Sequence, residues 1–224
     1  GLVAMVDAQV GRMMETLEDL GLDENTIVVY TSDHGDMMGS HRLLAKTFMY
    51  EECTRVPMMI RTPGQTESRR VTGPVSQIDV VPTLLDLCDA EIPDHLQGRS
   101  LRPWLQDRDA MEDDVFMEWS GPNAMPRAIA KDDAPLPDCL AGLGSREELR
   151  EGFLDPARTI VTADGWKFVC SPLGQHQLYH LAEDPGETQN LAGDPEQRDR
   201  MRELRERIVA WQERTGDTEE LPEL

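Results

Sequence analysis

The 224-residue chain carries 43 acidic against 22 basic residues, a formal net charge of −21, and is 39% hydrophobic. That length suits one large domain or one and a half smaller ones, and the apolar content supports a packed core. The charge argues against nucleic acid and anionic membrane as partners, because phosphate neutralisation needs clustered cations, and no apolar run approaches the ~20 residues of a membrane span.

In chain order, Leu2, Val6, Val10, Met13, Leu17 and Leu20 recur at three- and four-residue steps. They predict an amphipathic helix stopped by Gly21, with Met13 and Met14 as core filler. Thr26 to Thr31 is almost wholly β-branched or aromatic and reads as a strand buried on both faces, as in a parallel sheet. Ser32-Asp33-His34-Gly35 follows at its carboxyl end, where open α/β sheets place their ligands. An aspartate oxygen and a neighbouring imidazole nitrogen can both reach one divalent ion, and Gly35 lets the backbone turn away. Lys46 adds a compact cation for an anionic substrate oxygen. Taken alone, the tripeptide is better explained as a polar turn in which Asp33 caps a helix and His34 is an ordinary loop histidine.

Val56 to Ile60 predicts a second buried strand ended by Pro63-Gly64, and Asp79 to Cys88 a helix with Pro82 in its first turn. Two strand–helix alternations fit half of a doubly wound sheet. From Asp107 to Pro156 the chain is rich in Asp, Pro and Gly, with a strand at Val115 to Trp119 and a short helix at Ser145 to Gly152. This stretch reads either as a substrate-specificity loop at a cleft or as a solvated connector. Arg158 to Ala163 and Lys167 to Ser171 flank Asp164-Gly165, a hairpin signal, and Gln177 to Leu181 adds a third strand. In the closing helix Asp194 is the cap, Pro195 the first residue and Glu196 a favourable charge, while Met201, Leu204, Ile208 and Trp211 form the apolar face.

His176 and His180 alternate with strand residues and read as surface or packing histidines, and the acidic tail from Asp217 to Glu223 as a frayed, solvated end. Cys53, Cys88, Cys139 and Cys170 lack the spacing of a zinc site or a disulfide framework and read as packing or incidental thiols. Localisation stays open. The three lysines, Lys46, Lys131 and Lys167, leave an acidic, lysine-poor surface. Adaptation to high salt would explain it, since screening relieves self-repulsion, and an acidic protein from a GC-rich genome explains it equally well.

The run SDHGDMMGSHRLLAK followed by FMYEECTRVPMMIRTPG resembles the sulfatase family within the alkaline phosphatase superfamily. Met5 to Leu22 is similar to the helix before this strand, Val75 to Leu87 to the next helical segment, and Leu178 to Ala192 to the family's closing segment. The resemblance implies an α/β fold: part of an alkaline-phosphatase-like doubly wound sheet with a small carboxyl-terminal antiparallel sheet plus helix. Residues 1–106 would belong to the catalytic α/β domain, 107–157 to a loop-rich insertion or connector, and 158–224 to the small subdomain with its closing helix. It further implies Asp33 and His34 as ligands of a divalent cation, calcium by preference with magnesium or manganese as alternatives. Lys46 would be the catalytic cation that binds the sulfate ester. His41, in the same loop, is a substrate-side candidate that reads more readily as structural. An Asp-His pair is more similar to the choline sulfatase, iduronate sulfatase and phosphonate monoester hydrolase branch than to arylsulfatases with Asp-Asn.

The family's other metal-binding aspartates, and the cysteine of its Cys-x-Pro/Ala-x-Arg motif that becomes the formylglycine nucleophile, are expected in an amino-terminal half outside this chain. Cys170 comes nearest to that motif, but Gly174 stands where arginine is needed. The leading expectation is therefore the carboxyl-terminal half of a sulfuric ester hydrolase, inactive alone, acting on a small-molecule or carbohydrate sulfate ester. A phosphonate or phosphodiester hydrolase is the second reading. The third is a non-catalytic remnant or partner-binding module whose open sheet edge and apolar face lead to self-association or to an amino-terminal partner chain.

Overall fold

The computed structural model describes residues 1–224 apart from 47, 107–111, 120–126, 134, 137, 139, 141 and 143. Helix α1 (Leu2–Asp19) gives way at Gly21, whose φ of 64° is left-handed. Its apolar stripe forms as the periodicity predicts, yet Leu2, Val3, Met5, Met13 and Leu20 are all more than half exposed. Met13 is thus not core filler, while Val10, Met14 and Leu17 of the same helix are half-buried.

Strands β1 (Val28–Thr31) and β2 (Met58–Arg61) pair antiparallel, Val28 opposite Arg61 and Thr31 opposite Met58. Both are only partly buried and Met59 faces solvent, which corrects the expectation of parallel strands covered on both faces. The cause lies in residues 32–57. This segment reverses the chain at the carboxyl end of β1 through left-handed Met38, Gly39, His41, Arg42 and Ala45, so β2 begins where β1 stops. A parallel pairing needs a crossover of a dozen or more residues, usually helical. The α-helix in this connection, α2 (Glu51–Thr54), has four residues.

Helix α3 (Val80–Leu87) follows a 3-10 turn at Gln77–Asp79 closed by a Ser76/Asp79 capping box, with Pro82 buried in its first turn. Arg102, at the start of α4 (Arg102–Gln106), returns to Asp86 at 3.1 Å and Asp89 at 2.9 Å. Strand β3 (Val115–Glu118) and helices α5 (Arg127–Ala130) and α6 (Arg146–Leu154) come next, and Ser145 caps α6 with a capping box.

Strands β4 (Arg158–Val161), β5 (Trp166–Cys170) and β6 (Gln177–His180) join β3 in an antiparallel sheet of order β3-β4-β5-β6. The segment before residue 158 therefore contributes an edge strand. Gly165, at φ 90°, makes the predicted turn between β4 and β5. One sheet face presents Ile160, Phe168, Cys170 and Leu178 to Met201, Leu204 and Ile208 of α7 (Arg198–Thr215), and Phe116 stacks on Trp211 at 5.3 Å. Asp194 accepts the Glu196 N–H at 2.9 Å, as the cap reading expects.

The acidic tail is not frayed. Asp217 takes two hydrogen bonds from Arg158, at 2.6 and 2.8 Å, and Arg205 holds the carbonyls of Pro222 and Leu221 at 2.6 and 3.0 Å. Leu221 and Leu224 pack on the core, so two apolar side chains and the arginines opposite outweigh the tail's charge. His176 accepts the Ser171 N–H at 3.2 Å and His180 meets the Trp166 ring edge-on at 4.8 Å, both packing roles. Cys53 and Cys170 are buried free thiols, Cys88 is exposed, and Cys139 lies outside the described residues. Among the described residues no helix is long and apolar enough to cross a membrane.

Candidate functional site

Strand β1 delivers Asp33 and His34 to a cleft of about 1380 Å³, which is also lined by Lys46, Arg55, Met58, Gln77 and Trp104. The Asp33 carboxylate is mostly exposed and accepts hydrogen bonds from the His34 backbone N–H at 3.0 Å and from Ser32 Oγ at 3.3 Å. The His34 N–H foremost, with the Ser32 hydroxyl, holds this carboxyl below the ordinary aspartate value. The Gln77 side-chain amide donates to the Ser32 carbonyl and ties the turn to the start of the α3 region.

His34 Nδ1 donates to the Gly35 carbonyl at 2.8 Å, a tautomer that leaves the Nε2 lone pair free. That lone pair stands 3.2 Å from Asp33 Oδ2. Two acceptors so close repel each other and would favour a shared cation; the Lys46 ammonium meets Nε2 and makes no ion pair with Asp33. The oxygen–nitrogen pair fits a divalent cation as two of its ligands. Ammonium and metal compete for the same Nε2 lone pair, so a bound metal ion would free Lys46 for an anion. No cluster of three or more metal-ligating side chains occurs among the described residues, so further ligands would come from water or another segment.

Gly35 serves a different purpose from the one its place in a turn suggests. A Cβ there would lie 1.8 Å from the Glu52 carbonyl oxygen, and the Gly35 N–H donates to the Cys53 carbonyl at 2.8 Å. The glycine permits contact with α2, where a side chain would collide with backbone. His41 stands apart from the cleft lining: at φ 51° it stacks on Tyr50, ring centroids 3.9 Å apart, with Nε2 4.0 Å from Glu52. The structure thus brings Asp33, His34 and Lys46 together and leaves His41 against the aromatic wall of the same loop.

Sequence reasoning passed over Lys167. Its side chain is fully buried, with Nζ 3.0 Å from Glu51 Oε1 and 2.9 Å from Glu187 Oε1. A signal was available, since strand alternation puts Lys167 on one face with Val169 and near Tyr179, an apolar setting for a lone lysine.

Residues 1–90 match the family model described as Sulfatase. The uncharacterized sulfatase YidJ of Escherichia coli K12 is 33% identical over 217 residues, which are 95% of this chain and 37% of that protein. The chain belongs to the sulfatase family. A solved structure of BT4656 in complex with its substrate D-glucosamine-2-N,6-O-disulfate matches 97% of this sulfatase-family chain at a TM-score of 0.76 and 27% identity, over 40% of its own length. The phosphonate monoester hydrolase of Agrobacterium radiobacter matches 95% at a TM-score of 0.68 and 27% identity, again over 40% of its length. The chain therefore spans well under half the length of these relatives, which have the alkaline-phosphatase-like fold.

Proposed function

We propose that this sulfatase-family chain supplies the metal-binding and anion-binding side of a sulfuric ester hydrolase site. The observation that carries the reading is the convergence of Asp33 Oδ2 and His34 Nε2, 3.2 Å apart, with the Lys46 ammonium against Nε2. Asp33 and His34 would hold the divalent ion, and calcium suits the carboxylate oxygen and the family resemblance. When bound, the ion supplies Lewis-acid and charge stabilisation to sulfuryl oxygens. Lys46 then neutralises a further ester oxygen as a point charge and orients the ester in the cleft. Arg55, Arg69 and Arg70 also line the cleft, which suits an anionic carbohydrate sulfate.

The attacking group would be a formylglycine contributed from outside this chain. Cys53 and Cys170 are poorly suited to that part: both are buried, and burial pushes the Cys170 thiol up to about 11. The exposed stripe of α1 favours docking of an amino-terminal polypeptide or self-association. A phosphonate or phosphodiester substrate is the second reading, favoured by the likeness to the phosphonate monoester hydrolase, because the same cations suit either anion.

The test is hydrolysis of 4-nitrophenyl sulfate and its phosphate and phosphonate counterparts, with added calcium or manganese. The chain is assayed alone and co-expressed with the upstream reading frame. Sulfate turnover with the upstream product, abolished by Asp33→Ala, is the expected result. Faster phosphonate turnover selects the second reading. A folded complex inert on every ester overturns the enzyme reading and leaves a partner-binding module.

A further inference from the structure

A lysine out of contact with solvent is costly unless its charge and donors are met. Lys167, the second residue of β5, reaches Glu51 Oε1 at 3.0 Å, Glu187 Oε1 at 2.9 Å and Thr54 Oγ1 at 3.5 Å. Glu187 is itself buried, and its other carboxylate oxygen accepts the Glu51 backbone N–H at 2.6 Å, at the first residue of α2. The Glu187 backbone is left-handed, φ 50°, a state a non-glycine residue keeps only where its surroundings hold it. Tyr50, just before α2, lies 6.4 Å from Tyr179 on β6, so the helix meets two strands of the small sheet.

Helix α2 in turn touches the chain beside both parts of the candidate site. The Cys53 carbonyl accepts the Gly35 N–H at 2.8 Å, one residue after His34, and Gly35 holds the His34 ring through its own carbonyl at 2.8 Å. Cys53 Sγ lies 3.8 Å from the Ala45 carbonyl oxygen, one residue before Lys46. The Ala45 carbonyl also takes the Met37 N–H at 2.7 Å, closing the loop that carries both His34 and Lys46.

We propose that Lys167 is a positioning residue for the Asp33–His34–Lys46 site: clamped between Glu51 and Glu187, it locks α2 to the small sheet, and α2 sets where His34 and Lys46 stand. This rests on reading that site as a cation-and-anion site. The small carboxyl-terminal sheet then belongs to the functional apparatus as its rigid reference. An ionic clamp with two carboxylates fixes the orientation of α2 more narrowly than an apolar contact, which tolerates sliding.

The experiment uses the full chain labelled with 15N at histidine, the His34 ring being assigned by its loss in His34→Gln. Lys167→Met alone leaves two carboxylates uncompensated, so the informative variant is Lys167→Met with Glu187→Gln, which removes the pair together. Ile160→Ala is the control, because it loosens the same sheet on its α7 side without touching α2. In the double variant the His34 ring signals are expected to shift and broaden, the His95 ring to stay unchanged, and the calcium dissociation constant from calorimetry to rise about 10- to 100-fold, as when an outer partner of a ligand is lost. Ile160→Ala leaves the His34 ring at its wild-type position. An unmoved His34 ring in the double variant, or an equal shift in Ile160→Ala, overturns the clamp. Should wild type and Asp33→Ala bind calcium equally, the metal reading of the site fails, while the His34 ring shift still decides the clamp.

Discussion

The two ends of the chain differ in how they treat apolar surface. At the carboxyl end, four antiparallel strands lay Ile160, Phe168 and Leu178 against Met201, Leu204 and Ile208, and the tail folds back with Leu221 and Leu224 to seal the edge. At the amino end, α1 turns its apolar stripe to solvent and β1 and β2 make a half-buried ribbon. The candidate site lies on the open part, and the closed part holds it in place through Lys167. A metal or anion site needs rigid support more than it needs a surrounding core of its own, and that support can come from a distant sheet.

The strongest challenge to this contrast is Lys167→Met by itself. Breaking a buried charge cluster on one side costs about 3–5 kcal/mol, so denaturant unfolding should show a loss of that order; a loss below 1 kcal/mol, on the scale of an exposed pair, would mean the clamp is solvated. The core itself is probed by pairing Leu204→Ala with Val3→Ser. The first should cost about 2–5 kcal/mol as a cavity in the closed end, the second should stay within about 0.5 kcal/mol and reduce self-association. Equal costs would erase the distinction between the two ends.

A finer probe is the strap between β4 and the tail. The Arg158 side chain, through its hydrogen bonds, holds the Asp217 carboxyl well below the aspartate value of 3.8. A carboxyl depressed by folding stabilises the native state fully above its unfolded value and loses that contribution as pH falls through its folded one. Melting temperature should therefore fall between about pH 5 and pH 2, and Asp217→Asn should cost about 1.5–3 kcal/mol at neutral pH and flatten that part of the acid limb. An unchanged acid limb in Asp217→Asn would remove the strap from the account. The smallest effect concerns the net charge of −21. A melting temperature that climbs through molar salt would support salt adaptation, and a flat response would remove it.

Much of this was legible in the sequence where the cause is local. The helices at Leu2–Asp19, Val80–Leu87 and Arg198–Thr215, the Asp164-Gly165 hairpin and the Asp194-Pro195 start follow from short-range periodicity and capping. Asp33, His34 and Lys46 share a single strand–loop segment, but it was the wider resemblance to the sulfatase family, more than the tripeptide itself, that singled them out. The antiparallel pairing of β1 and β2 was hidden, since it depends on left-handed Met38, His41, Arg42 and Ala45, residue types that do not advertise that conformation. The tail was misread because acidic neighbours mask Leu221 and Leu224, and the arginines that hold it lie far away in sequence or on another element, Arg158 on β4 and Arg202 and Arg205 on α7. Lys167 was missed for a related reason: alternation points it away from Phe168, and only the tertiary structure reveals that the second face is covered by α2.

The account stands most directly on whether Asp33 and His34 bind one ion. Manganese added stepwise to the full chain, labelled with 15N at its five histidines, reads this through paramagnetic broadening, which falls steeply with distance. The His34 ring signal should vanish first, ahead of His41, His95, His176 and His180, and Asp33→Ala should abolish that preference. Even broadening of all the rings, or a His34 preference that survives Asp33→Ala, would contradict it.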